Sequence, residues 1–301
     1  MNYKKTRVIR VILHKQITNF IQYLRVGRHY AINTQQAYKR DLEKLLVFTH
    51  KKSLSQWSNL TSEHLNLFVM EMRHQDNSAR TIRRNLSSIR GFLAYLVNHE
   101  QLSNSCAIHL QSPKIDQNLP NILNYDNILL MLKPRSNTWL ELRDVAMIEV
   151  MYSCGLRVSE LVALNVNDVD LNQGFLRVIG KGAKVRHTPV GKAAQQAISR
   201  CLFDHSNHVL FVNRKQQRVS VRAVQNMVKK RALGAGIKVN VYPHMLRHTA
   251  ATHFLQSSHD LRSTQEFLGH SSIKSTQVYI HLDFLELSKV YDQCHPRAKK
   301  S

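Results

Sequence analysis

Six side chains spread over the second half of the 301-residue chain could together cut a phosphodiester bond. They are cations, histidines and one phenol, and they occur in the order Arg157, Lys181, His244, Arg247, His270 and Tyr279. Two guanidinium groups can hold the non-bridging oxygens of a phosphate and the charge that builds on them in the pentacoordinate transition state. A lysine can protonate the departing alkoxide, and a histidine can take the proton from a tyrosine, whose ordinary pKa is about 10. The phenolate oxygen would then carry the phosphate as a covalent ester.

Each of these residues has an ordinary structural explanation when it is taken alone. Arg157 could simply pair with Glu160, and Lys181 lies in a predicted turn, where lysines are usually solvated. His244 and His248 lie four residues apart, a spacing that metal ligands also use. No HExxH glutamate and no CxxC pair accompanies them, so the sequence predicts no metal site. The order and spacing of the whole set therefore carry the hypothesis.

Hydrophobic periodicity assigns these residues to elements of a mixed α/β region. Phe175–Ile179 and Val185–Val190 flank the turn GKGAK, which is the pattern of a β-hairpin with Lys181 in its turn. His244 and Arg247 would share one face of a helix because they are three residues apart. Helical patterns cover about 140–152, 158–165, 191–203, 219–233 and 244–256.

The first part of the chain, from about residue 14 to 110, shows helical periodicity and no strand pattern. Asn33 and Thr34 are predicted to cap a helix. A later helix is predicted from one apolar stripe at Ile82, Leu86, Ile89, Leu93 and Leu96. A segment with two prolines and no apolar period is the predicted linker. The predicted organisation is a helical domain at 1–112, a linker at 113–121 and a second domain at 122–301.

The charge of the chain favours a nucleic acid as its partner. Lys and Arg number 43 against 20 Asp and Glu, a net charge of +23, and 43% of the residues are hydrophobic, as in a folded protein. Residues 1–112 carry 17 basic and 6 acidic side chains, and residues 113–301 carry 26 and 14. Two basic halves favour a long polyanion, with an anionic membrane surface as the second choice.

Basic side chains of the helical domain are candidates for contact with phosphates. They lie off the predicted apolar stripes, and the segment 77–99 contains no Asp or Glu that could pair with its arginines. The candidates are Lys39, Arg40, Arg80, Arg83, Arg84 and Arg90.

Several classes of protein are not expected. No apolar run approaches the roughly 20 residues of a membrane-spanning helix, and the basic N-terminal stretch lacks the features of a signal peptide. Cys106, Cys154, Cys201 and Cys294 lie far apart without a CxxC pair, so we expect reduced thiols. The sequence predicts a cytoplasmic protein that binds DNA or RNA and needs no cofactor.

Four segments of the second half resemble the signature segments of the tyrosine recombinases, the phage integrase family. They are GLRVSEL, VIGKGAKVR, PHMLRHTAATH and LGHSSIKSTQVYIHL. The earlier segment NTQQAYKRDLEKLLVF resembles the core-binding domain of the same family, so the resemblance covers nearly the whole chain after about residue 14. Met245, where relatives often carry lysine, and the additional basic residues before about position 14 depart from the family pattern.

The resemblance implies a mostly α-helical chain with a small β-hairpin or sheet, arranged as a two-domain DNA clamp. An all-α core-binding domain would grip one face of the duplex, and a mixed α/β catalytic domain would grip the other. An exchange tail would cover about 283–301. Its apolar residues Phe284, Leu287 and Tyr291 would pack either on their own domain or on a neighbouring protomer in a cyclic tetramer.

The resemblance also implies a role for each residue of the set. Arg157 and Arg247 would bind the scissile phosphate, Glu160 would support the first of them, and Lys181 would be the general acid. His244 would be the acid/base histidine.

Two further roles follow from the last signature segment. His270 would buttress the phosphate, and Tyr279 would form a 3′-phosphotyrosyl link.

The implied activity is site-specific recombination of double-stranded DNA. The enzyme would resolve chromosome dimers with a sister recombinase, as a heterotetramer on two DNA sites, and a DNA translocase is a candidate activator. The alternatives are the sister recombinase itself, a phage or mobile-element integrase, a type IB topoisomerase, and a clamp that binds DNA without cutting it. An arm-binding domain of the kind that many phage integrases carry is not expected here.

Overall fold

The computed structural model describes residues 3–99, 102, 106, 112–113, 121–180, 185–202 and 207–269. The chain divides into two compact units, Met1–Asn118 and Leu119–Ser301. The described residues form eleven α-helices and one three-stranded antiparallel sheet, which confirms the mostly helical fold class. Within these residues no helix is both long enough and apolar enough to cross a membrane.

The described part of the first unit is a bundle of four helices. They are α1 (Tyr3–Val26), α2 (Ile32–Lys51), α3 (Ser62–His74) and α4 (Ala79–Asn98). Helix α4 packs against the other three, because its predicted apolar stripe from Ile82 to Leu96 is buried. The Ser78 hydroxyl accepts a hydrogen bond from the Thr81 N–H and so begins this helix.

The helix cap predicted at Asn33 and Thr34 is wrong. Helix α2 begins before both residues, directly after Ala31, and no side chain caps it. The Gln35 side chain instead donates to the Tyr30 carbonyl at 2.6 Å, which fixes the chain just ahead of the helix. The polar pair therefore lies in the first turn.

The second unit is built around a helix that is buried on all sides. Its helices are α5 (Tyr125–Leu132), α6 (Trp139–Ser153), α7 (Val158–Ala163), α8 (Lys192–Leu202), α9 (Val221–Gly234), α10 (Pro243–Ser258) and α11 (Leu261–Leu268). Helix α6 contacts α5, α7, α8 and α10, and its residues from Ala146 to Met151 are all buried. The sequence patterns do not predict α5 and α11, because eight residues are too few to establish a stripe.

The predicted hairpin is the core of the small sheet. The strands are β1 (Val169–Asp170), β2 (Phe175–Ile179) and β3 (Val185–Pro189), in that spatial order. Leu176 pairs with Thr188, and Val178 pairs with Arg186. The turn with Lys181, residues 181–184, lies outside the described residues.

The cysteines that the structure describes are free thiols: Cys106, Cys154 and Cys201. Burial raises the pKa of Cys154 to about 12 and that of Cys201 to about 11, so both stay protonated at neutral pH. Cys294 lies outside the described residues.

Candidate active site

The first signature segment places an arginine and a carboxylate at the start of one short helix. Arg157 directly precedes α7, and Glu160 lies in its first turn. The backbone N–H of Arg157 donates to Glu160 Oε2 at 2.9 Å, and the side-chain Nη1 donates to Oε1 at 2.8 Å. Glu160 is only 4% exposed, whereas the Arg157 side chain is 39% exposed. The carboxylate thus fixes the base of an arginine that still reaches solvent.

The second arginine of the predicted pair lies inside α10 and meets the same carboxylate. Arg247 is 5% exposed, and its Nη1 is 3.8 Å from Glu160 Oε2. Its Nη1 also donates to the Gly155 carbonyl, and its Nη2 donates to the Leu268 carbonyl at 2.7 Å. The fold therefore brings together two arginines that are far apart in the sequence.

A third arginine, which the sequence analysis does not single out, completes the cluster. Arg186 of β3 donates from Nη1 to Glu160 Oε1 at 2.9 Å and from Nη2 to Oε2 at 2.8 Å. This is the bidentate geometry of a strong arginine–carboxylate pair. Strand alternation could have revealed it, because Arg186 shares a face with the buried Thr188 two residues later.

The carboxylate at the centre of this arginine cluster is ionised. Burial alone would raise the pKa of Glu160, but hydrogen bonds from Arg186 and from Arg157 outweigh it and lower the pKa to about 2. Three guanidinium groups then face one negative charge. The surplus of positive charge suits the binding of a phosphate diester, whose transition state gains negative charge.

Two glycines in left-handed conformations allow close packing around the end of α11, one against the Phe267 ring and one against Arg186. Gly155 has φ +58°, and a Cβ there would lie 2.7 Å from the Phe267 ring. Gly269 has φ +61°, and a Cβ there would lie 2.6 Å from Cδ of Arg186. The end of α11 is therefore seated against the arginine cluster, directly ahead of position 270 in the chain.

The predicted histidines and nucleophile are placed only in part. His244 lies in the first turn of α10 and is exposed. Burial, together with the nearby His244, lowers the pKa of His248 to about 4, so His248 is neutral at neutral pH. Lys181, His270 and Tyr279 lie outside the described residues. In the part of the chain that is described, no three His, Cys, Asp or Glu side chains cluster as metal ligands would.

The candidate DNA-binding side chains of the first unit are mostly exposed. Four of them face solvent: Lys39, Arg40, Arg80 and Arg83. Lys39 Nζ lies 4.0 Å from Glu43 Oε1. Their contact with DNA stays a prediction.

Arg84 and Arg90 make specific protein contacts. Arg84 donates from Nε and Nη2 to the fully buried Asp41, at 2.8 and 2.7 Å. The acidic partner absent from residues 77–99 thus comes from α2. Arg90 Nη1 donates to the Ser112 hydroxyl at 3.1 Å. For these two arginines as well, DNA contact stays a prediction.

Comparisons with known proteins agree with the fold. Residues 17–100 match the family described as phage integrase, N-terminal SAM-like domain, and residues 121–286 match the phage integrase family. The chain is 42% identical over 298 residues to tyrosine recombinase XerC of Pseudomonas fluorescens, covering 96% of this chain and 99% of the relative.

Solved structures show the same architecture. The XerA recombinase is 27% identical, covers 95% of this chain and 99% of its own, and has a TM-score of 0.54. The XerH recombinase, in a post-cleavage complex with its palindromic difH substrate, has a TM-score of 0.73. It is 22% identical, and the match covers 92% of this chain and 84% of the XerH chain. At this identity, the similarity is evidence of a shared fold only.

The similarity to XerC agrees with the end of the sequence. The segment HLDFLELSKVYDQCHPRAKK, from which the sequence predicts a relation to XerC and not to its sister XerD, lies outside the described residues. The matches cover both units of the chain and include the segments that carry the three clustered arginines. The chain therefore belongs to the phage integrase family, and it is a site-specific tyrosine recombinase that binds DNA and cleaves and rejoins its strands.

Proposed function

We propose that the chain resolves chromosome dimers by exchanging strands at a dimer-resolution site together with the sister recombinase XerD. The observation that carries its chemistry is the cluster of three arginines around Glu160, with Arg157 partly exposed. The similarity to XerC over 96% of the chain supports the choice of reaction.

In this proposal the two predicted arginines divide the binding of the scissile phosphate. Arg157 offers the edge of its guanidinium that Glu160 does not hold. Arg247 adds positive charge from a buried position, where electrostatic interactions are less screened than in water. Glu160 is the supporting residue that fixes the direction of Arg157.

The covalent step balances without a metal ion or a nucleotide. Tyr279 Oη attacks phosphorus and forms the 3′-phosphotyrosyl bond, while the bond from phosphorus to the 5′-oxygen breaks. His244 takes the phenolic proton, Lys181 gives a proton to the departing 5′-oxygen, and His270 buttresses the phosphate. The reverse reaction, with the 5′-hydroxyl of another strand, rejoins the DNA.

The proposed organisation keeps the predicted boundaries. Residues 1–112 would be the core-binding domain, 113–121 the linker, and 122–301 the catalytic domain with its exchange tail at about 283–301. The division between Asn118 and Leu119, and the family matches that end at 100 and begin at 121, support these boundaries.

The proposed partners follow from the reaction. Recombination between two sites needs two DNA duplexes, and a heterotetramer with XerD would hold them. A DNA translocase is a candidate activator. An enzyme of this kind works where the bacterial chromosome is, so we place it in the cytoplasm.

Trapping on a nicked suicide duplex tests the proposal. The duplex would carry a dimer-resolution site, and purified XerD and EDTA would be present. Wild type should give a covalent protein–DNA band, and Tyr279→Phe should give none. Tyr125→Phe is a matched control, because Tyr125 is an exposed phenol on α5, and its band should equal that of wild type.

The outcomes separate the alternatives. A band that persists in Tyr279→Phe would assign the nucleophile elsewhere. Tight binding of wild type without any band would favour a clamp that does not cut. Relaxation of a supercoiled plasmid that lacks a site would favour a topoisomerase.

A further inference from the structure

Arg186 has no role in the reaction proposed above, although it makes the most complete contact with Glu160. We infer that Arg186 is a positioning residue: it occupies and neutralises the Glu160 carboxylate, and so leaves Arg157 available to the scissile phosphate. The inference rests on the proposed function, because it assigns a task within that same site.

The two arginines hold Glu160 in different ways. Arg186 uses both terminal nitrogens on both carboxylate oxygens, at 2.9 and 2.8 Å, and is 17% exposed. Arg157 uses only Nη1 of its side chain, at 2.8 Å, and is 39% exposed. Within the described residues the Arg157 side chain donates to no other group. Its Nε and Nη2 are therefore the donors that an incoming anion can use.

The acceptor capacity of the carboxylate explains why the second arginine matters. A carboxylate offers about four lone-pair sites. Glu160 fills them with the backbone N–H and Nη1 of Arg157 and the two nitrogens of Arg186. Without Arg186, two of these lone-pair sites would be left without a donor in a buried place, and the charge would be shared by Arg157 and Arg247 alone. Arg157 could then turn a second nitrogen onto Glu160 and withdraw its free edge from the phosphate.

The position of Arg186 in the fold fits this task. It lies on β3, two residues beyond the turn that contains Lys181, and it pairs with Val178 of β2. Its Cδ lies against Gly269 at the end of α11. One side chain thus contacts the carboxylate of α7 and the backbone that leads to His270.

A neighbouring ion pair provides the matched control. Arg177 of β2 donates from Nε and Nη2 to Oδ1 of the buried Asp168, at 3.0 and 2.7 Å. Arg177→Gln removes an arginine–carboxylate pair from the same sheet and leaves the arginine cluster intact. A general loss of sheet stability would therefore appear in both variants.

Single-turnover cleavage of two suicide duplexes tests the inference. One duplex has an ordinary scissile phosphate, and the other has a methylphosphonate there, which removes the negative charge. Relative to wild type, Arg186→Gln should be slower by about 10-fold to 100-fold on the phosphate, which is less than the roughly 10²-fold to 10³-fold loss of a direct oxyanion donor because Arg186 acts through Arg157. On the methylphosphonate the loss should shrink to about threefold or less, because the neutral group needs less compensating charge. Arg177→Gln should match wild type on both.

Arg186→Lys provides a second test of the inference, in the same cleavage assay, if Arg186→Gln is too unstable to use. Its ammonium restores the charge without the bidentate fork, so its loss should be smaller but should show the same dependence on substrate charge. Equal losses of rate on both duplexes would overturn the inference, and so would an Arg186→Gln rate equal to that of Arg177→Gln. In either case, cleavage by wild type would still support the proposed function. A wild type that does not cleave would overturn the proposed function, and the inference with it.

Discussion

Replacing Glu160 by glutamine should remove a large part of the acid sensitivity of the second unit. The pKa of Glu160 is about 2 in place of 4.5, because hydrogen bonds from Arg186 and Arg157 outweigh the opposing effect of burial. Each pKa unit is worth about 1.4 kcal/mol, so the ionised carboxylate contributes about 3 kcal/mol to the free energy of unfolding. Since the folded-state pKa is lowered, this contribution is complete above about pH 4.5 and is lost as the pH falls toward 2.

Glu160→Gln should therefore be less stable than wild type by about 2–4 kcal/mol at pH 7, because three guanidinium groups lose their shared negative charge. The difference between the two proteins should shrink steadily between about pH 4.5 and pH 2. Urea unfolding, followed at several pH values across this range, measures both quantities. Asp126→Asn is the control, because Asp126 is an exposed acid in α5 of the same unit. Parallel stability curves for wild type and Glu160→Gln would refute the reasoning.

Three further predictions concern DNA cleavage, DNA binding and folding. Arg157→Ala should lower single-turnover cleavage by about 10²-fold to 10³-fold, as for the loss of an oxyanion donor, while a gel-shift assay finds DNA binding nearly unchanged. DNA affinity, measured by fluorescence anisotropy, should fall roughly a thousandfold between about 50 and 200 mM salt if six or more phosphates are contacted. Gly269→Ala should lower both the melting temperature and the cleavage rate, because its Cβ would press on Arg186 at a φ of +61°.

Each of these predictions has an outcome that contradicts it. Near-normal cleavage by Arg157→Ala would remove that residue from the site. An affinity that salt does not change would contradict phosphate contacts over both units. For the glycine, Gly236→Ala is the control, because Gly236 also has a positive φ but nothing lies within 4 Å of its added Cβ. Equal cleavage rates in the two glycine variants would contradict a specific contact with Arg186.

The ion pairs show why the sequence predicts some contacts and misses others. Arg157 and Glu160 are three residues apart at the start of one helix, so a local pattern suffices to pair them. Arg84 pairs with Asp41 of another helix, and Arg186 pairs with Glu160 across the fold. Such pairs depend on how the helices and strands pack together, and the local spacing of residues in the sequence does not predict that packing.

Local sequence patterns also failed to predict two short helices and the first residue of α2. Helices α5 and α11 have eight residues each, so two turns carry too few apolar positions for a reliable stripe. The polar pair Asn33 and Thr34 has the composition of a cap, but the Gln35 contact with the Tyr30 carbonyl anchors the chain before it. Tertiary and medium-range contacts decided these positions.

The sequence by itself determined the family, the mostly helical fold, the hairpin strands and the order of the reacting groups. These features follow from residue types at short, fixed spacings and from the hydrophobic period. Only the tertiary structure decided that Arg157, Arg186 and Arg247 share one buried carboxylate, and that two glycines bring the end of α11 against them. The physical reason is that the partners of a buried carboxylate are the side chains that folding brings within hydrogen-bond distance of it, whatever their separation in the sequence.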